Sequence, residues 1–425
     1  MRKHMFFLCF MGSLCMVWAQ ETNTSYKQKV LETAEIDLLF SYYEQDGVHA
    51  AVTGGEGSEE LTDVTPTIIV SVPLSDDHVL TFDTGISAYT SASSSNINPF
   101  DGTNRADPFI ESSGASRSDV WAYFNPSLSY SSDDRNHVLT ANVNIAAEYD
   151  YFSVGFGGSY TRLFNEKNTE LGVSAQVFFD TWNPQYPIEL REGFFDDRIT
   201  GNGTYAPVFN AFDNERRNSY SLSFSFSQIM TKKLQASLFF DLVLQEGLLS
   251  TPHQRVYFGD VNDFFIQEFQ LADDVERLPD TRFKVPLGGR LNYYVNERIV
   301  IRNYYRYYLD DWGITSHTLN IEVPVKLNDR FTVYPMYRYY HQTAADYFYE
   351  KEQALSTMDF YTSDYDLSGY DAHQYGAGIT YKDIFTRARI WKLGLKSIDL
   401  RFNHYDRSDG LTANILSFGM RFIGN

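Results

Sequence analysis

Cysteine, basic residues and long apolar runs are all scarce in this sequence. Its 425 residues include only two cysteines, Cys9 and Cys15, and 35 basic against 55 acidic residues, which leaves a formal net charge of −20. So few cysteines argue against a disulfide-stapled secreted domain. The acidic balance argues against nucleic acid as a partner, because that binding needs Lys and Arg to neutralise phosphates. A negative mean hydropathy argues against a bundle of membrane helices, each of which needs about 20 mostly apolar residues.

Aromatic residues are abundant instead, at 16% of the chain with 31 Tyr and 33 Phe. Tyr and Phe favour β-strands, whereas disordered chains are poor in aromatic residues. The composition therefore predicts an ordered, aromatic-rich β protein.

The first 19 residues have the features of a secretory signal peptide. Arg2 and Lys3 form a positive end, an apolar stretch follows at 5–17, and Ala19 is a small residue at the cleavage position. Cleavage before Gln20 would remove both cysteines, which excludes thiol chemistry from the mature chain. The sequence therefore predicts export from the cytoplasm.

Stretches of about ten residues alternate between apolar and small or polar side chains. The same pattern recurs at 139–145, 221–227 and 398–403, and it is typical of a strand whose two faces meet different solvents. The last stretch shows it most clearly: Leu416, Phe418, Met420 and Phe422 alternate with Ser417, Gly419 and Arg421.

Short and long connections also alternate along the chain. Six short polar turns lie at 75–77, 133–136, 165–168, 231–233, 296–298 and 328–330, and a seventh, less regular one lies at 383–392. The other connections include long loops at 44–60, 91–119, 183–217, 247–282 and 344–371.

The short turns all fall on one edge of the predicted sheet and the long loops on the other, and sixteen strands can be counted between Glu35 and Phe422. This arrangement predicts one fold. It is an all-β, closed antiparallel transmembrane β-barrel of the bacterial outer-membrane type, with short periplasmic turns and long external loops. A secreted β-sandwich or propeller is the alternative, but a sandwich has no reason to sort its loops by edge. We divide the chain into a signal peptide at 1–19, a periplasmic segment at 20–34 and the barrel at 35–425. Its predicted location is the outer membrane.

Placing the apolar face against lipid makes the other face the lumen and identifies its charged residues. Acids would gather on one wall and arginines on the other, so that a field crosses the pore and orients solutes. The alternative is that these charges pair locally and fill the lumen. The pore-lining candidates are Asp37, Asp83, Asp180 and Asp241 on the first nine strands, and Arg290, Arg302, Arg306, Glu322, Arg338, Asp399, Arg401 and Arg421 on the last seven.

Two external segments are candidates for further roles. The acidic loop 247–282 is a candidate constriction inside the barrel, or else a solvated external loop. Asp364, Asp366 and Ser368 match the first half of a calcium loop, although Tyr375 stands where such a loop needs a bidentate Glu. An ordinary tight turn explains these three residues as well. Calcium is the one cofactor considered.

Catalysis has little support in the sequence. It contains no H-E-x-x-H zinc motif and no G-x-S-x-G nucleophile elbow. His404, Asp406 and Ser408 are the remaining candidates for a Ser, His and acid constellation at the outer rim. We expect no enzyme activity.

Tyrosine-rich stretches at 304–308 and 337–340 fall near the outer ends of two strands. They are interpreted as part of the aromatic girdle at the membrane interface. A stacking platform for sugars or bases is the alternative.

Several strings in the sequence resemble an uncharacterised family of bacterial outer-membrane proteins over the full length of the chain. They are found at 40–47, 51–55, 59–63, 91–97 and 361–366. The resemblance implies a barrel and no particular reaction. Members of that family are encoded near thioredoxin-like proteins and an enzyme that attaches flavin, which implies a link to a surface redox or flavin system.

Two functions follow from these observations. The first is a channel or translocation pore for a solute. The second is a plugged barrel anchor whose acidic external loops bind a partner protein or a divalent cation. Expected partners are outer-membrane lipid and the barrel-assembly machinery, which would recognise the C-terminal strand ending in Phe422.

Overall fold

The structure is a computed structural model that describes residues 29–90, 118–194 and 196–424. The predicted signal peptide, most of the predicted periplasmic segment and most of loop 91–119 lie outside these residues. In the described part of the chain, the helices are short 3-10 turns at Ala51–Thr53, Ile188–Leu190 and Tyr365–Leu367. None of the helices in these ranges is long and apolar enough to cross a membrane.

Sixteen long strands form one antiparallel sheet, in which each strand pairs with its neighbours along the chain. Two short strands, Val325–Lys326 and Arg389–Ile390, extend the same sheet. The sixteen are β1 (Glu35–Asp46), β2 (Leu61–Pro73), β3 (His78–Thr90), β4 (Ser118–Ser131), β5 (His137–Ala147), β6 (Tyr151–Phe164), β7 (Thr169–Trp182), β8 (Glu215–Thr231), β9 (Leu234–Gly247), β10 (Thr281–Tyr294), β11 (Val300–Asp310), β12 (Thr315–Glu322), β13 (Phe331–Gln342), β14 (Tyr370–Lys382), β15 (Leu393–Arg407) and β16 (Thr412–Gly424).

Pairing of the first strand with the last closes the sheet. In this pair Asp37 lies opposite Arg421, and Tyr42 lies opposite Leu416. Closure satisfies the backbone groups that an open edge would expose to lipid. The predicted closed sixteen-strand antiparallel barrel is confirmed.

The six short polar turns lie where the sequence predicts them. At one of them Asn165, Glu166 and Lys167 have φ values of 51°, 54° and 68°, which lets the chain reverse within four residues. The seventh connection is longer, because Arg389–Ile390 folds back to pair with the start of β15. There the Leu395 N–H donates to the Ala388 carbonyl, with 2.8 Å between N and O.

The two faces of each strand differ as the alternation requires. On β8, the outward Leu222, Phe224 and Phe226 are exposed in the isolated chain, while serines alternate with them on the inner face. In a membrane this apolar surface would contact hydrocarbon. Phe422 differs from its outward neighbours: it is only 3% exposed, and it lies between Ile36 and Leu395 in the strand register.

Most of the buried apolar residues lie in the external loops and not in the barrel. The segments 47–60, 183–214, 248–280 and 343–369 pack together into a unit that we call the outer cap. One cluster joins three of these segments, and another joins the last two. The first comprises Ala50, Val52, Phe264, Ile266, Phe269 and Leu271, with Phe194, Ile199 and Tyr205 packed against it.

Short strands add backbone hydrogen bonds to the cap. Phe264–Ile266 pairs with Ile199–Gly201 and with Phe269–Gln270, and Arg255–Val256 pairs with Asp274–Val275. These four external segments are therefore one folded structure on the outer end of the barrel, not separate solvated loops.

Candidate functional site

Six of the predicted pore-lining residues border a single cavity in the lumen. Its volume is ≈ 840 Å³, within the range of known ligand sites. The cavity is bordered from β9 to β15, because the inner faces of these strands turn toward one another around the barrel. Its lining residues are Phe239, Asp241, Arg290, Asn292, Arg302, Asn303, Tyr304, Asn320, Glu322, Arg338 and Arg401.

Glu322 joins two of the arginines in this wall. Its carboxylate accepts from Arg302 at 2.7 Å and from Arg401 at 3.4 Å. Arg401 also contacts Asp399 at 3.1 Å and lies 4.5 Å from the centre of the Tyr334 ring. Local pairing therefore holds these two guanidinium groups in place.

Arg290 and Arg338 have a different environment. The guanidinium of Arg290 lies between Phe239 and Tyr304, at 5.7 and 5.9 Å from their ring centres. In the described ranges no carboxylate lies within ion-pair distance of Arg290 or Arg338. Both charges therefore face the cavity without a neutralising partner.

The other predicted pore-lining residues are divided between local contacts and the open lumen. Closure makes β1 and β16 neighbours, so Asp37 pairs with Arg421 at 2.6 Å and does not lie across the pore from it. Asp83 accepts from Tyr123 at 3.2 Å and Asp180 accepts from Tyr151 at 2.6 Å. Arg306 lies over the Tyr308 ring at 5.7 Å.

These contacts include charges that pair locally and charges that face the lumen, so each hypothesis for the lumen charges describes some of them. Much of the predicted acidic wall is occupied by local hydrogen bonds and ion pairs. Three of the arginines, Arg302, Arg401 and Arg421, are paired as well, whereas Arg290 and Arg338 border the cavity without a carboxylate partner among the described residues. The sequence missed this because residue parity shows which side chains point inward but not which of them meet.

The outer cap reaches the inner wall on one side of the barrel through Arg407. This β15 side chain contacts Asp366 and Asp409, each at 2.5 Å, and donates to the Tyr365 carbonyl at 2.9 Å. Gln342 of β13 donates to the carbonyls of Asp366 and Ser368 at 2.9 and 2.7 Å. The turn at 364–368 is thereby held in the barrel mouth.

On the opposite side, the cap residue His253 contacts the Trp182 ring of β7, with 6.3 Å between ring centres. Strands β7 and β15 are eight apart in a sixteen-strand barrel and so lie on opposite walls. The cap therefore spans the outer mouth. The sequence leaves loop 247–282 as either a constriction or a solvated external loop. In the structure, segments from both 248–280 and 343–369 lie at the mouth.

A buried ion pair ties three segments of the cap together. Arg255 and Glu189 are both fully buried, and two hydrogen bonds of 2.6 and 3.1 Å join them. The same guanidinium donates to the Val52 carbonyl at 3.1 Å. No spacing rule in the sequence indicates this pair, because its partners are 66 residues apart.

Two carboxyl groups in the cap have pKa values above the ordinary range. Burial, with the nearby Asp364, raises the pKa of Glu276, whose oxygens accept from Thr251 N and Thr362 Oγ1. Burial also raises the pKa of Glu59 to about 8, assisted by the charge of Asp366. We therefore expect the stability of the cap to depend on pH.

The candidate calcium residues all have local partners. Asp364 accepts from the Asp366 N–H at 2.9 Å, Asp366 pairs with Arg407, and Ser368 donates to the Tyr365 carbonyl at 2.7 Å. Among the residues that the structure describes, no group of three or more His, Cys, Asp or Glu side chains is arranged to hold a metal ion. Calcium binding stays a prediction.

The tyrosine-rich stretches are divided between the two faces of the barrel. Tyr305 and Tyr337 point outward and contact His317 and His373, at 2.7 and 2.9 Å from hydroxyl to Nδ1. Tyr304 borders the lumen cavity instead. The girdle interpretation fits the outward residues, whereas the inward ones are part of the candidate site.

The three rim residues considered for catalysis are not joined to one another. The His404 ring contacts Asn414 Oδ1 at 3.0 Å, and Ser408 Oγ accepts from the Asp371 N–H at 3.0 Å. The structure describes Asp406 too, and it forms no hydrogen bond to either of them. The absence of enzyme activity stays a prediction.

Several solved structures are similar to this chain at low sequence identity. A bacterial polysaccharide outer-membrane secretin is 12% identical, with a TM-score of 0.46, and the match covers 93% of this chain and 100% of that one. A FadL homologue from Pseudomonas aeruginosa is 10% identical, with a TM-score of 0.40 and coverage of 93% and 90%. The ferric enterobactin receptor of the same organism is 12% identical, with a TM-score of 0.44, and the match covers 89% of this chain and 54% of the receptor.

Comparison with curated proteins gives no match. The family described as "Protein of unknown function (DUF3570)" matches residues 8–414, and the chain belongs to that family.

Proposed function

We propose that the protein is an outer-membrane channel for a small hydrophilic solute, with the outer cap as its gate. The observation that carries this proposal is the ≈ 840 Å³ polar cavity inside a closed sixteen-strand barrel. Sixteen strands enclose more space than side chains alone fill. Charged rings in such a lumen tune the passage of ions and solutes.

Conductance of the mature chain, residues 20–425, in planar lipid bilayers tests this function. Because the cap spans the mouth, we expect brief openings in the unmodified protein. Arg407→Gln removes the contacts to Asp366 and Asp409 and should raise the open probability several-fold. Retention of a heat-modifiable band on gels shows that the variant barrel is folded. Silence of both proteins in the folded state would refute the channel function.

The second candidate function is a barrel anchor that displays the outer cap to a partner. The buried core of the cap favours it, because solvated loops need no such core. Silent bilayers, together with loss of partner or divalent-cation binding when the cap is disrupted, would support the anchor. Calcium added to the same bilayers tests the prediction at Asp364, Asp366 and Ser368.

Three further expectations belong to this proposal. Export by the signal peptide is tested by sequencing the N-terminus of the mature protein. A link to a surface redox or flavin system is tested by co-purification of flavin-bearing proteins. Recognition of the last strand by the barrel-assembly machinery is tested by the Phe422 variant described in the Discussion.

A further inference from the structure

We infer that the lumen cavity is a binding site for small organic anions that carry a carboxylate or phosphate group. This inference rests on the proposed channel function and names its class of solute. The wall of the cavity contains four guanidinium groups, from Arg290, Arg302, Arg338 and Arg401, against two carboxylates, from Asp241 and Glu322.

Two of the arginines have a structural role that the other two lack. Arg302 and Arg401 share Glu322, which is largely buried behind them. Arg290 and Arg338 have no such carboxylate in the part of the chain that the structure describes. A guanidinium stays charged at every physiological pH and matches carboxylate and phosphate oxygens. These two side chains therefore offer free donors to an anion in the cavity.

The aromatic residues in the wall keep one of these donors in position. The rings of Phe239 and Tyr304 flank Arg290, so its side chain has fewer directions to sample than a free arginine. Asn292 and Asn320 add amide groups that can bind the polar remainder of an organic solute. A cavity that served only for charge balance would place carboxylates against all four arginines.

The sign of this charge contrasts with the chain as a whole. The protein has a formal net charge of −20, and the outer cap is rich in acidic residues. A cation-selective pore would continue this acidic character through the lumen. The arginines instead reverse the charge inside the barrel, where field lines are focused by the low-dielectric wall.

Binding is measured by calorimetry on the purified mature barrel in detergent, because that measurement does not depend on whether the cap opens. The probes are succinate, inorganic phosphate and, as an uncharged control, glucose, in about 150 mM salt to screen weak surface attraction. We expect succinate or phosphate to bind and glucose to bind much less. The better of the two identifies the anionic group, and competition between them shows that they share the site.

Three variants distinguish a specific anion-binding site from non-specific attraction by the positive charge of the lumen. Arg338→Gln should weaken anion binding by about tenfold or more, because it removes a charged hydrogen-bond donor. Arg306→Gln is the matched control: it removes the same charge from a lumen residue outside the cavity lining and should change binding by less than about twofold. Glu322→Gln should tighten binding, because it removes the carboxylate that Arg302 and Arg401 share; Arg302 is then free, while Arg401 keeps its contact with Asp399.

The expected increase in anion affinity of Glu322→Gln distinguishes a binding site from misfolding, because a damaged barrel would not bind an anion more tightly. The inference is overturned if neither anion binds the folded barrel, or if Arg306→Gln weakens binding as much as Arg338→Gln. Conductance without anion binding would remove the inference and leave the channel function standing. Anion binding to a barrel that never conducts would keep the site and refute the channel.

Discussion

Replacing Glu189 by glutamine should loosen the outer cap while the barrel stays folded. The wild-type side chain is fully buried and accepts two hydrogen bonds from Arg255, which is equally buried. Glutamine keeps the shape of the side chain but removes its charge. The guanidinium then stays in the interior of the cap without its carboxylate, although the Val52 carbonyl still accepts from it.

Loss of one partner from a buried ion pair costs about 3–5 kcal/mol, because the remaining charge has no compensation. Every 1.4 kcal/mol changes an equilibrium by a factor of ten. The open population of the cap should therefore rise by roughly 140-fold to 4000-fold. Native-state proteolysis of the assembled barrel measures this population, since cleavage in the external loops requires the cap to open.

Glu56→Gln is the matched control, because it removes the same type of charge from another ion pair of the cap. Glu56 pairs with Lys351 at 3.1 Å but is 65% exposed, and exposed pairs contribute about 0–1 kcal/mol. Its cleavage rate should rise less than about fivefold. The double variant Glu189→Leu with Arg255→Met should recover most of the protection, since an apolar pair leaves no buried charge. A change below about fivefold for Glu189→Gln would refute the reasoning.

Three further predictions follow from the cap and the last strand. Burial raises the folded-state pKa of Glu276 above its ordinary value of 4.5, so the contribution of Glu276 to cap stability is complete below pH 4.5 and is lost as pH rises through the raised pKa. Proteolysis of the wild type should therefore accelerate between about pH 5 and 9, after correction for the pH profile of the protease itself. The acceleration should be smaller in Glu276→Gln. Gly54 has a φ of 74°, and a Cβ at this position would lie 2.6 Å from Tyr257 Cδ2. Gly54→Ala should therefore destabilise the cap by about 1–3 kcal/mol, measured by the same proteolysis assay. An unchanged cleavage rate would contradict the strain argument. Phe422 is buried at the closure of the barrel, so Phe422→Ala should lower the fraction of heat-modifiable barrel in the outer membrane, whereas Phe418→Ala, an outward change on the same strand, should lower it less.

The barrel was accessible to sequence reasoning because each of its strands obeys a local rule. Outward Leu222, Phe224 and Phe226 alternate with serines, and that alternation requires only a two-residue period. The turn at 165–168 is likewise fixed by residues within the turn. The number of strands and the edge on which each loop lies were then obtained by counting strands and turns along the chain, and the structure confirms the sixteen-strand barrel.

The cap was not accessible in this way. Its core joins Val52 to Phe264 and Leu271, and its ion pair joins Glu189 to Arg255, so the contacts cross between loops that no period connects. The only signal in the sequence was the apolar content of the loop containing Phe264, Ile266 and Phe269, which is high for a solvated segment. Acidic residues nearby favoured the solvated interpretation instead.

By itself the sequence determined the sheet, its closure and the side of the wall on which each charge lies, because side-chain direction in a strand depends on residue parity alone. Only the tertiary structure decided which charges meet. Closure brought Asp37 to Arg421, and the register of β11 against β12 brought Arg302 to Glu322. Arg401 reaches the same carboxylate from β15, which is not a neighbour of β12, and Arg338 has no carboxylate within ion-pair distance among the described residues. Those outcomes depend on which strands become neighbours and on how far each side chain reaches around the lumen, and both are set by the assembly of the whole barrel.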